Sequence, residues 1–136
     1  MKILLAVAAA GEALTGLGLL ASPSIVIRLL LGAETIGIGE VVSRFGGIGL
    51  IGLGIACWPS GSVRSPLYGM LAYGTLAALY LAYIGVSGEG GGVLLWPAVV
   101  VHVILVVLLF GATRKNEQRD DTAREQDHAP LLGRRP

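Results

Sequence analysis

Glu12, Arg44, Tyr73, Tyr80 and His102 are the residues of this chain that could do chemistry, because each stands in an apolar run that offers a polar group few partners. A carboxylate and an imidazole can exchange a proton, a carboxylate and a guanidinium can form an ion pair, and a tyrosine hydroxyl can donate to a carboxylate. Glu12 is at the midpoint of ILLAVAAAGEALTGLGLLA, residues 3–21, and His102 is near the centre of VLLWPAVVVHVILVVLLFG, residues 93–111. Runs this long with so few polar groups have the length and composition of membrane-spanning helices. An ionisable group at the centre of such a helix is costly and needs a partner or a task.

Depth decides which of these groups could meet. Arg44 lies five residues outward of the middle of its run, about 7 Å at the helical rise per residue. Tyr80 lies at a similar outward depth, and Tyr73, seven residues before it, shares its helix face. Each of four spans therefore brings one polar group to a band just outside the midplane, a cluster that could bind or could hold the bundle together. Ala8, Thr15 and Gly16 are the helical neighbours of Glu12, and small faces of this kind pack against other helices, so Glu12 should face the bundle. Its expected partner is Arg44, since a buried unpaired charge is far more costly than a paired one. The rival is Glu40, four residues before Arg44, which would turn Arg44 outward and leave Glu12 protonated. His102 is flanked by Ala98, Val99, Leu105 and Val106 and reads as a hydrogen-bonded packing residue. A haem would need a second axial ligand, and the other histidine, His128, is in the tail, so no cofactor and no metal are expected.

The elements that carry these residues follow from the hydropathy pattern. Four spans are expected at about 3–21, 40–58, 67–85 and 93–111, giving an all-α, polytopic four-helix bundle. Ser22 and Pro23 suit the start of a short helix over 24–31 that stops at Gly32, too short to span and suited to the membrane interface with Arg28 reaching water. PSGSVRSP at 59–66 and SGEGGG at 87–92 are turn sequences. The glycines of GGIGLIGLG lie inside the second span, where they serve helix packing rather than phosphate binding.

Composition agrees with that layout. The chain has 136 residues, is 54% hydrophobic and only 14% charged, and carries a net charge of +1 that gives no footprint for nucleic acid. Eleven of its charges fall in residues 113–136, a tail expected to be disordered or loosely helical. One cysteine, Cys57, precludes an internal disulfide. The first run is longer than the apolar core of a signal peptide, carries Glu12 and ends in a poor cleavage site, so it is expected to stay in the protein. Lys2, Arg64, Arg114 and Lys115 would share one side of the membrane, which makes that side, with both termini, cytoplasmic.

The segments PSIVIRLLLGAE, SRFGGIGLIGLGIACWP, PLYGMLAYGTLAALYLAYIG and LLWPAVVVH resemble a group of small uncharacterised bacterial four-helix membrane proteins, over nearly all of the chain up to Gly111. The resemblance implies a bacterial inner-membrane location and brings no activity with it. A fainter likeness, through the single glutamate of the first helix, is to small multidrug resistance transporters, whose proton-coupled exchange depends on that glutamate in a dimer. Arg44, the segment at 24–31 and the tail depart from that pattern.

No enzyme motif is present, and no enzymatic activity is expected. The leading expectation is a non-enzymatic accessory or interaction subunit embedded in the lipid bilayer, working with a membrane-protein partner or a further copy of itself. The alternative is a proton-coupled transporter of a small molecule with Glu12 as its carrier site. An acid–base enzyme using Glu12 and His102 on a lipid or quinone is a third reading without motif support.

Overall fold

In the computed structural model, which describes residues 1–61 and 64–132 with side chains as far as Arg114, the chain forms five helices. They are α1 (Lys2–Ala21), α2 (Pro23–Leu31), α3 (Ile38–Ala56), α4 (Arg64–Ser87) and α5 (Leu95–Leu132). Four of them hold windows long and apolar enough to cross a membrane: Lys2–Ala21, Ile38–Ala56, Arg64–Ser87 and Leu95–Arg114. The all-helical bundle expected from the sequence is the one found, and no strand occurs among the described residues.

Local sequence sets the ends. α1 stops where the Ser22 amide bonds back to Gly18 O at 2.8 Å, and Pro23, which has no amide hydrogen to lose, opens α2. α2 ends on Gly32 in the left-handed conformation (φ 74°), with its amide bonded to Arg28 O, and Arg28 lies in the last turn, where a cation suits the helix dipole. Within the apolar helices, Thr15, Ser43 and Thr75 each donate to the carbonyl four residues back, at 2.9, 2.8 and 2.7 Å, so none carries a bare hydroxyl.

The helices associate as two tight pairs. α1 lies along α3, α4 lies along α5, and the pairs meet chiefly where α1 touches both α4 and α5. The α1–α3 pair is drawn together by glycines: Gly16 against Gly47, and Gly54 against Ala9 and Ala13. This fixes an antiparallel register in which each step forward on α1 matches a step back on α3. The buried core of Leu5, Ala8, Ala9, Cys57, Leu67, Met70 and Leu109 lies across the seam, toward the N-terminal end of α1. At the opposite end α2 is fastened to the α4–α5 loop by backbone bonds from Gly91 N to Leu31 O and from Leu94 N to Leu29 O, both 2.8 Å.

α5 differs from expectation at its far end. It continues as helix to Leu132, whereas the sequence reading ends the span at 111 and gives a disordered or loosely helical tail. Residues 113–129 contain neither glycine nor proline and are rich in Arg, Glu, Gln and Ala, so an already nucleated helix propagates through them. Residues 62, 63 and 133–136 of the expected turn and tail lie outside the described residues.

Candidate functional site

The site is built one helical turn beyond the apolar core. Ala8 belongs to that core and Glu12 is four residues on; Met70 belongs to it and Tyr73 is three on; Leu105 packs against it and His102 is three back. The three polar residues therefore meet at one level, with Glu12 on the α1–α3 side of the seam and Tyr73 and His102 on the α4–α5 side. Glu12 is 7% exposed and is the buried charged residue among those described.

The contacts are specific. His102 Nε2 lies 3.4 Å from Glu12 Oε1. His102 Nδ1 lies 2.8 Å from Ala98 O on its own helix. Tyr73 stands beside Glu12, and its ring tilts against the imidazole with centroids 6.3 Å apart. The Nε2–Oε1 separation is longer than a good hydrogen bond, and Nε2 is a buried polar atom with no completed bond among the described residues.

The expected pairing of Glu12 with Arg44 is not what forms. Arg44 Nη2 instead faces Glu40 Oε2 at 3.7 Å, one turn away on α3, with the two side chains 49% and 35% exposed. The register explains this. Gly16 opposes Gly47 and Ala9 opposes Gly54, which puts Arg44 level with Leu19, seven residues and about 10 Å from Glu12. At that depth Glu40 is the nearer carboxylate, and a solvent-reaching pair avoids the cost of burying a guanidinium. Tyr80 also falls outside the site, 65% exposed on the outer face of α4. The four-helix polar band thus reduces to Glu12, Tyr73 and His102, with nothing contributed by α3.

Sequence reasoning placed His102 at the right depth and read it as a hydrogen-bonded packing residue, and the bond to Ala98 O is there; what it did not make was the pairing with Glu12. The available signal was that Glu12 and His102 both lie at the centres of their helices. Among the described residues no group of three metal-ligating side chains occurs. Comparison with family models, curated proteins and solved structures finds no match to this chain.

Proposed function

We propose that this chain is a multi-pass protein of a bacterial inner membrane, with both termini cytoplasmic, that acts without enzymatic turnover by binding and releasing a proton at Glu12, and that it couples this to the movement of a small molecule. The observation that carries the reading is the Glu12–His102 contact at 3.4 Å across the seam between two helix pairs. A structural carboxylate in a membrane is best neutralised by a permanent cation, yet Arg44, the arginine within the apolar part of α3, is engaged with Glu40. Glu12 faces instead a group that can itself gain or lose a proton. An ionisable residue at mid-membrane, placed where two rigid units meet, is the arrangement used when one unit rocks against the other around a fixed site.

The orientation is supported by four basic residues, Lys2, Arg64, Arg114 and Lys115, at one set of helix ends against two, Arg28 and Arg44, at the other, which also carries Glu34, Glu40 and Glu89. Trp58 and Tyr68 are exposed near the first set, Tyr83 and Trp96 near the second, as for rings at the two bilayer interfaces.

An accessory or interaction subunit is the second reading, and one observation favours it. The face of α3 turned away from α1 exposes Phe45, Ile48 and Ile55 around Gly46, Gly49 and Gly52, which have open space beside them. A partner helix or a second copy could pack there.

The test uses the full chain in proteoliposomes with a pH dye inside. A panel of tetraphenylphosphonium, guanidinium, short carboxylates and neutral amides is added under an imposed pH gradient. At least one probe should drive proton flux, lost in Glu12→Gln and kept in Arg44→Gln. Silence across the panel, with a larger complex co-purifying in mild detergent, would replace transport by the accessory reading.

A further inference from the structure

We infer that Glu12 and His102 hold a single proton between them, and that this proton fastens the α1–α3 pair to the α4–α5 pair. The argument starts at the other ring nitrogen. Ala98 O is 2.8 Å from His102 Nδ1, and a carbonyl oxygen can only accept, so Nδ1 carries a hydrogen and donates it. A neutral imidazole then has its lone pair on Nε2. Nε2 lies 3.4 Å from Glu12 Oε1, which is also an acceptor when ionised.

Two acceptors in a buried seam attract only with a proton between them. Either the carboxylic acid of Glu12 donates to a neutral imidazole, or an imidazolium donates to the carboxylate. Both forms hold one proton and both are neutral overall. Removal of that proton leaves a buried carboxylate against a lone pair, an uncompensated charge at the surface where the helix pairs chiefly meet.

The surroundings supply no substitute. Tyr73 from α4 stands beside Glu12, and a neutral phenol does not neutralise a carboxylate. α3 offers no titratable group, since Arg44 is turned to Glu40. Thr15, the polar neighbour on α1, donates to Gly11 O. Arg28 of α2 is exposed at the far end of the bundle. Proton release therefore loosens the seam, and proton uptake closes it. The inference rests on reading Glu12 as the proton-carrying site, but its test does not require transport.

The experiment uses the full chain in lipid bilayers carrying His128→Gln, so that His102 is the remaining histidine, with nitrogen-15 histidine labelling and solid-state NMR. The expected spectrum has Nδ1 protonated, as the neutral Nδ1–H form or as imidazolium. A neutral ring protonated on Nε2 would overturn the inference. A second measurement places spin labels at Ile48→Cys on α3 and Val101→Cys on α5, both exposed, in a Cys57→Ser background. Raising the pH should widen the distance distribution, and Glu12→Gln, whose amide donates to Nε2 without titrating, should abolish that shift. A distance indifferent to pH in the parent overturns the fastening role. Both results as expected, together with no flux for any probe, would remove the transport reading and leave the shared proton standing.

Discussion

Gly16 of α1 and Gly47 of α3 back onto each other's carbonyl groups: a Cβ on Gly16 would fall 2.5 Å from Gly47 O, and one on Gly47 would fall 2.6 Å from Gly16 O. Neither backbone can yield without moving a helix. Gly47→Ala should therefore lower unfolding stability in detergent by about 1–3 kcal/mol, the range for overpacking. Gly49→Ala, with open space at its Cβ, should be neutral or stabilising by up to about 1 kcal/mol, the helix propensity gained. Equal losses at both positions would mean that the α1–α3 register is wrong.

The pairing of Glu12 can be read from a double-mutant cycle. Glu12→Gln with His102→Gln should be non-additive by about 0.5–3 kcal/mol, as for residues in contact. Glu12→Gln with Arg44→Gln should add to within about 0.5 kcal/mol, because their side chains share no partner. Arg44→Gln alone should cost under about 1 kcal/mol, as an exposed pair does. Coupling of Glu12 to Arg44 rather than to His102 would reverse the assignment of the site.

How much of this was legible in the sequence depends on which physical quantity each feature rests on. Apolar run length and composition placed all four spans to within three residues at the ends examined in the helical windows, and Pro23 with Gly32 placed α2. The small residues beside Glu12 placed it facing inward, where it is 7% exposed. Its partner was not legible, because pairing depends on rotation and register, which no single helix encodes. Comparing span midpoints put Arg44 about two residues closer to Glu12 than the glycine contacts allow, and a shift of that size decides between Glu40 and Glu12. Tyr80 failed for a related reason. A shared helix face with Tyr73 does not bring a partner helix to both ends of that face, and α4 leaves Tyr80 outside.

The fastening of α2 rests on Gly92, where a Cβ would run into the Leu29 carbonyl and the Leu30 backbone. Gly92→Ala should break the bonds from Gly91 N to Leu31 O and from Leu94 N to Leu29 O, and hydrogen exchange at those two amides should accelerate at least tenfold. Exchange that is unchanged would show that α2 is held by something else.

Orientation is open to thiol labelling in a Cys57→Ser background. Gly90 is a poor site for a new cysteine, since its Cβ would meet Ile84 at 2.6 Å, whereas Glu89 is exposed. Glu89→Cys should react with an impermeant reagent from outside intact cells, and Ser60→Cys should react only after the membrane is opened. The opposite pattern inverts the topology.

The Glu12–His102 contact joins α1 to α5, far apart in the chain, and so it has a history during synthesis. Position 12 precedes position 102 by 90 residues, on the order of 10 s of translation at 5–20 residues per second. For that interval α1 carries a carboxylate whose imidazole has not been made. A chain arrested before α5 keeps that acid without its imidazole. The arrival of α5 thus brings the second helix pair and the imidazole to Glu12 in one event.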